Sequence, residues 1–397
     1  MKIWLVLTYL KCALIFAAFI SRQDQVFCPR INLKVDDSNM YLIKGLQLNG
    51  KELEKVIMDT GSSDLTITQD LYQGNANFEP NYVMRYGSTG NTFVSRQEAD
   101  IKGDAWKLSK FTYFLTNSSS LDDFAGILGV GYIGNEVAGA GYDNLPASMA
   151  KNKGFANVFS LDGRKNKPSL IFGGVDPQIY DGNLIKTPIG LERNSTSVEK
   201  KPKEFLVTVN SISVDSKDGQ KTISKQNLIY LLDTGSEGLV IPKPVYQNLF
   251  ATLNDKKKTV NDTAYFESSF IETLKLNFSI TGYHVSIPLL DLKDETIQQG
   301  SANYSSLKII PVDIGDQIYE GSFPSVLYKY VYVVFDIQNS AILMAPYKSF
   351  APLGGTFCKR ITGSSYSVST ESAPDSKNTY SSLYDPSKET DATKAKE

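Results

Sequence analysis

The chain has a single histidine, His284, in 397 residues. Serine or cysteine hydrolases that use a histidine base would all depend on it, and no Gly-x-Ser-x-Gly elbow accompanies it. One histidine also leaves a zinc site short of ligands, so His284 reads as a surface or packing residue. Basic charge is not in excess. Lys and Arg number 41 against 43 Asp and Glu, a net charge of −2, and the absence of a basic stripe argues against a nucleic-acid partner. The short basic run Lys256-Lys-Lys258 reads as a solvated loop. Cysteine is scarce, with three in the chain, which excludes a disulfide-dense scaffold. Long apolar runs are also missing: the longest clean one, Cys12 to Ile20, is too short to span a bilayer.

That run has signal-peptide length and follows Lys2. A secretory signal over about residues 1–22 is therefore expected, cleaved between Ala18 and Gln25; an uncleaved anchor is the alternative. Cys12 would leave with the signal. Cys28 and Cys358 remain, one near each end of the mature chain, and can form one disulfide or stay as two thiols. Sequons at Asn117, Asn194, Asn261, Asn277 and Asn303 favour the secretory route as glycosylation sites. The terminal Lys394-Ala-Lys-Glu397 carries no hydrophobic stretch, so a GPI-type anchor is not expected.

Hydrophobic residues make up 41% and charged residues 21%, a globular composition, and the length suits two cores. Short alternating runs such as Phe205-Leu-Val-Thr-Val209 and Tyr330-Val-Tyr-Val-Val-Phe335 predict a mostly-β fold. Helical stretches are few, with Lys243–Leu253 and Leu145–Lys151 the best candidates. The Ser-, Thr-, Asp- and Lys-rich stretch from about Thr362 to Glu397 reads as a disordered tail.

One internal repeat outweighs the other patterns. Val56-Ile-Met-Asp-Thr-Gly-Ser-Ser-Asp-Leu-Thr-Ile67 aligns with Tyr230-Leu-Leu-Asp-Thr-Gly-Ser-Glu-Gly-Leu-Val-Ile241, with six of twelve positions identical. The two aspartates are 174 residues apart, about one domain length. Each copy is an apolar strand ending in Asp, then a glycine for a tight turn, flanked by hydroxyls. Two lobes that face each other would bring Asp59 and Asp233 together. Like charges in close contact share one proton over an acidic range. One carboxylate can then take a proton from water while the other donates to the attacked carbonyl, the established logic of paired carboxylates. A single Asp-Thr-Gly-Ser would be turn chemistry; two copies in matching apolar frames are not. Gly129-Val-Gly-Tyr-Ile-Gly134 matches a dinucleotide fingerprint, but Asn135 to Gly141 followed by Pro146 makes a poor crossover helix.

Over about residues 31–346 the chain resembles the pepsin-like aspartic proteases, most closely the candidapepsin-like and yapsin-like secreted enzymes of yeasts. Asp59-Thr-Gly-Ser-Ser63 and Asp233-Thr-Gly-Ser236 resemble the two active-site motifs. Tyr86-Gly87 with Ser88-Thr-Gly90 resembles the flap. Gly126-Ile-Leu-Gly-Val-Gly-Tyr132 resembles the segment behind the first catalytic loop, and Ile171-Phe-Gly-Gly-Val-Asp176 and Tyr332-Val-Val-Phe-Asp336 resemble further signatures. The resemblance implies an all-β, bilobal acid protease fold with a central cleft, lobes at 26–190 and 191–350, and Asp59 and Asp233 as the catalytic pair. It implies that Thr60, Gly61, Ser62, Thr234, Gly235 and Ser236 support the carboxylates, and that Tyr86, Gly87, Ser88 and Glu237 meet substrate. It implies that Cys28 and Cys358 lie close, because both chain ends enter one inter-lobe sheet. It implies no cofactor and no metal, a protein or peptide substrate, a monomer without stable membrane insertion, and an extracellular or wall-associated location.

Several residues depart from the pattern. Strand-like sequence starts by about Val26, leaving no room for a prosegment: the enzyme folds unaided, the sequence is truncated, or latency is lost. Asp59 and Tyr86 are only 27 residues apart, with no disulfide-closed loop between them. Thr66 stands where the family often has Trp, and Glu237 where it has a small hydroxyl residue. Behind the second loop, Ser322-Phe323-Pro324 stands where lobe one has Ile127-Leu128-Gly129, so weaker support of Asp233 and modest activity are expected, with Pro324→Gly raising turnover or leaving it unharmed. The rival reading is a catalytically impaired member that binds peptides or cell-surface material.

Overall fold

Short apolar strands, closed by Gly, Asn and Asp turns, build the fold. The computed structural model describes residues 25–69, 79–86, 90–117, 121, 124–137, 141–190, 202–315, 318–349, 357–359 and 367–368. The expected signal, Asn194, Gly87, Ser88 and most of the expected tail lie outside them. Ser367–Val368, within that tail segment, pairs in parallel with Ile185–Lys186.

The architecture is all-β, as the alternating patterns predict. Among the described residues there are three helices of the α type, Leu145–Lys153, Lys243–Thr252 and a single turn at Ser268–Ile271. The first two fall where the sequence places them. Asn144 caps the first by accepting from Ala147 N–H, and Gly154 ends it in the left-handed region at φ 68°. No helix of the described residues is long and apolar enough to cross a membrane.

The strands form a sheet of sixteen, one of eight, one of four and a two-stranded ribbon. The sheet of sixteen carries the first Asp-Thr-Gly-Ser loop and the sheet of eight the second. The late strand Tyr332–Asp336 does not stay with the second lobe's sheet. It pairs antiparallel with Val158–Asp162, Phe335 opposite Phe159, and with Ala341–Ala345 on its other side. All ten residues of these two late strands are buried. The second half of the chain is thus anchored into the first by a buried, mostly apolar seam, in which Phe159, Phe205 and Phe335 pack with ring centroids 4.5–5.8 Å apart.

Close to this seam the chain ends are tied. Gln25–Phe27 pairs antiparallel with Phe357–Lys359, and a disulfide joins Cys28 to Cys358, Cα atoms 5.7 Å apart, across 330 residues. Both cysteines are buried beside Val175 and Ile171. The alternative of two free thiols is thereby removed. Arg30 and Asp176 form a buried ion pair at 2.6 Å next to this ribbon. Because the bridge restrains a very long loop of the unfolded chain, the variant Cys28→Ser should lose about 2–5 kcal/mol of stability. Thermal unfolding read by circular dichroism checks this, with the wild type falling to the variant's midpoint on reduction.

Candidate active site

The strand Val56–Asp59 is buried along its whole length. Its neighbour Gly126–Gly129 runs parallel to it, Gly129 opposite Asp59. Tyr230-Leu-Leu232, in the buried strand Leu228–Leu232, does the same for Asp233: Gly321, Ser322 and Phe323 stand opposite its three residues, and Asp233 N–H donates to the Phe323 carbonyl at 3.0 Å. Each aspartate therefore leaves the end of a two-sided apolar strand, where it cannot drift without breaking a ladder.

The two loops hold each other through their threonines. Thr60 N–H donates to Thr234 Oγ1 and Thr234 N–H to Thr60 Oγ1, both at 3.0 Å. Each hydroxyl then donates across the interface, Thr60 to the Leu232 carbonyl at 2.6 Å and Thr234 to the Met58 carbonyl at 2.8 Å. Both threonines are buried, so loss of one would leave donors and acceptors unpaired at about 1–3 kcal/mol each. The glycines set the closeness. A Cβ on Gly61 would sit 2.8 Å from Asp233 Oδ1, and one on Gly235 would sit 2.5 Å from Asp59 Oδ1. Only residues without a side chain let each loop pass so close to the other's carboxylate.

The carboxylates differ in their donors. Asp59 is 7% exposed; it takes Gly61 N–H at 2.8 Å and the Ser62 hydroxyl at 2.5 Å. Asp233 takes Gly235 N–H at 2.9 Å. Ser236 does not support it as expected: its hydroxyl donates to the Gly238 carbonyl at 2.9 Å. Burial, then the Asp59 charge and the hydrogen bond between the two carboxyls, hold the Asp233 carboxyl well above the usual carboxylate range. Gly235 N–H opposes this and Glu204 adds to it. Glu204 and Tyr319 carry no motif and were not legible in the sequence. Tyr319 is pushed up to about 12 by burial, then by Glu204, Asp233 and Asp59.

Tyr82–Tyr86 pairs antiparallel with Gly90–Lys102 as the two arms of a hairpin, Tyr86 opposite Gly90. Thr66 donates to Met84 Sδ of this hairpin at 3.1 Å, a short contact where the family often places Trp. Glu237 is half-exposed and ion-paired with Lys308 at 2.9 Å. Lys308 precedes Ile309–Val312, the strand beside Leu239–Pro242. Of the described sequons, Asn117, Asn261 and Asn303 are exposed. Asn277 lies in Lys275–Ile280 with its amide nitrogen enclosed and its oxygen accepting from Ser286. His284 is exposed on its strand.

Behind Asp59 lies a second pair of acids that the sequence did not single out. Asp64 and Glu136 are both buried. Val137 N–H and the Tyr142 hydroxyl donate to Asp64, and Asn144 N–H donates to Glu136 Oε1 at 3.1 Å. Burial pushes Asp64 up to about 7, and burial with the Asp64 charge pushes Glu136 up to about 8. Both shifts are upward, so the folded chain holds more protons than the unfolded one above the ordinary carboxylate range. Their contribution to stability is full below about pH 4 and is lost as pH rises through about 7 to 8. Glu136→Gln keeps the acceptor for Asn144 and removes one of these titrations. The variant should flatten the loss of stability between pH 5 and 8, measured as unfolding midpoints across that range.

Residues 49–347 match the family model of the eukaryotic aspartyl proteases. The chain is 25% identical over 331 residues to the Aspergillus fumigatus protein named "Probable aspartic-type endopeptidase opsB", covering 73% of this chain and 65% of the relative. It is 24% identical over 335 residues to Candidapepsin-1 of Candida albicans, covering 76% and 79%. Aspartic proteinase 3 of Saccharomyces cerevisiae is 28% identical over 239 residues, covering 55% and 40%. The chain thus spans somewhat less than two thirds of the Aspergillus relative's length. With two Asp-Thr-Gly-Ser loops closed on one another at the heart of a mostly-β fold, the chain belongs to the eukaryotic aspartyl protease family.

Proposed function

We propose that the chain is a secreted aspartic endopeptidase that hydrolyses peptide bonds at acid pH. The observation that carries the reading is the contact of Asp59 with Asp233, each carboxylate against the other loop's glycine. Two carboxylates so close hold one proton between them. Asp59, with a hydroxyl and an amide donating to it, is the better-stabilised anion and serves as base. Asp233 holds the proton and serves as acid. The water oxygen bonds to the peptide carbonyl carbon, Asp59 takes the water's proton, and Asp233 gives its proton to the carbonyl oxygen. Collapse of the tetrahedral intermediate breaks the C–N bond as a proton reaches the leaving nitrogen.

An extended peptide is the substrate this reading implies, with Tyr86, Gly87, Ser88 and Glu237 as the residues expected to meet it. The lobes divide near residue 190, and the chain acts as a monomer. Secretion, with wall association as one destination, is supported by the apolar N-terminal run, by the disulfide, and by the printed name "Secreted aspartic protease 1" of a Candida albicans relative.

Asp59→Asn and Asp233→Asn should each lower hydrolysis of a denatured protein by at least 10²-fold, since general acid–base catalysis supplies about 10²–10⁴, while the fold is kept. Because the Asp233 shift is upward, the single shared proton persists through the acid range and is lost as pH rises through the pair's upper apparent pKa. Activity should therefore fall toward neutral and alkaline pH. Digestion assays across pH on both variants and the wild type check this; near-wild-type turnover in either variant, or an optimum above neutrality, overturns it.

A further inference from the structure

The two halves of the site repeat beyond the catalytic loops, and at one position the repeat is broken. Gly126 and Gly321 are equivalent. Each opens the backing strand, opposite Val56 and Tyr230 respectively, and a Cβ on either would strike the carbonyl seven residues past its aspartate, Thr66 O at 2.5 Å and Val240 O at 2.6 Å. Three residues on, Gly129 stands opposite Asp59, and Pro324 takes the corresponding place behind Asp233. In the first lobe Gly129 N–H donates to the Asp64 carbonyl at 2.9 Å. The equivalent carbonyl in the second lobe is that of Gly238, five residues past Asp233. Proline has no N–H to give it. The donor that Gly238 O receives is the Ser236 hydroxyl, at 2.9 Å. The first lobe's equivalent hydroxyl, Ser62, is free of that task and donates to Asp59 at 2.5 Å.

Hydrogen bonding explains the exchange. A buried carbonyl left without a donor is costly, and a serine three residues into the loop can reach either its own aspartate or this carbonyl. Where the backbone satisfies the carbonyl, the hydroxyl goes to the carboxylate; where proline removes the backbone donor, the hydroxyl goes to the carbonyl. We propose that Pro324 is a positioning residue that draws the Ser236 hydroxyl off Asp233 and so sets how far toward neutral pH the carboxylate pair keeps its shared proton. The proposal rests on the endopeptidase reading above.

A hydroxyl on Asp233 would favour its charged form, and its removal favours the protonated form. The wild type therefore keeps the active, singly protonated pair to a higher pH than it would with both serines in place. Among the described residues, the titratable groups that face Asp233 are Asp59 across the pair, Glu204 ahead of Leu206–Ser216, Tyr319 ahead of Gly321–Phe323, and Tyr328 on the turn Ser325–Lys329. None of them is changed by substituting position 324 or 236. Pro324 has φ −74° and ψ 172°, which alanine adopts freely, so Pro324→Ala restores the N–H without asking for a new backbone shape.

The experiment is the pH profile of kcat/KM on a quenched peptide for wild type, Pro324→Ala, Pro324→Gly, Ser236→Ala and the double variant Pro324→Ala with Ser236→Ala. In both position-324 variants the upper limb should move to lower pH by about one unit, the scale of a hydrogen bond to a carboxylate. Ser236→Ala alone should leave that limb in place, because its hydroxyl does not touch Asp233. In the double variant the limb should return to the wild-type position. A limb that stays put in folded Pro324→Ala, or one that moves in Ser236→Ala alone, overturns the proposal. Loss of folding in Pro324→Ala, read by circular dichroism, also overturns it, since the carbonyl would then depend on proline for reasons other than donor supply. An Asp59→Asn control that hydrolyses the peptide as fast as wild type would instead overturn the endopeptidase reading itself.

Discussion

Asp59 and Asp233 carry like charge, and the rest of the molecule is arranged so that they nevertheless stay in contact. Left to solvent they would separate and both ionise. They are kept together by the crossed threonine bonds, by two glycines that give up their side chains to the opposing carboxylate, and by burial that disfavours two charges. Each of these acts across the boundary between the halves of the chain. The late strands Tyr332–Asp336 and Ala341–Ala345 and the disulfide from Cys28 to Cys358 serve the same end at longer range, since they stop the halves from sliding apart.

The symmetry between the halves holds at the threonines and glycines and breaks at the donors to the carboxylates. Two identical carboxylates would have no reason to divide base and acid roles. Here Ser62 donates to Asp59 while Ser236 donates to Gly238, and the Glu204 charge adds to the rise at Asp233. Fewer donors and the neighbouring charges therefore favour a proton on the second aspartate. The buried acids Asp64 and Glu136 belong to the first lobe only; at the place of Asp64 the second lobe has Gly238. Acid conditions thus suit the first lobe's packing as well as the proton shared by Asp59 and Asp233 in the proposed reaction.

The repeat was legible because Asp, Thr, Gly and Ser at fixed spacing leave little structural freedom: the glycine is dictated by the approaching carboxylate and the threonine by reciprocal backbone bonds. The two main helices fall within two residues of where the sequence places them. Counting back from Tyr332–Asp336 placed Ser322-Phe323-Pro324 behind the second loop, where Ser322 and Phe323 pair with Leu231 and Leu232 and Pro324 follows next. The hydroxyl of Ser236 was misassigned, since a serine's choice between a carboxylate and a carbonyl depends on whether a residue nearly ninety positions away has an N–H. Glu204, Tyr319 and the Asp64–Glu136 pair were missed for a related reason: their effect comes from burial and tertiary proximity, which no local pattern encodes.

The central claim is that Asp59 and Asp233 act as one pair holding one proton. The most direct measurement is the affinity of a statine-type peptide mimic, by calorimetry, from pH 3 to pH 8, for the wild type and for Asp233→Asn. The account predicts tight binding by the wild type in the acid range, weakening tenfold per unit once pH passes the pair's upper apparent pKa, and loss of that dependence in the variant. A wild-type affinity that does not change with pH, or an identical profile in Asp233→Asn, would contradict it.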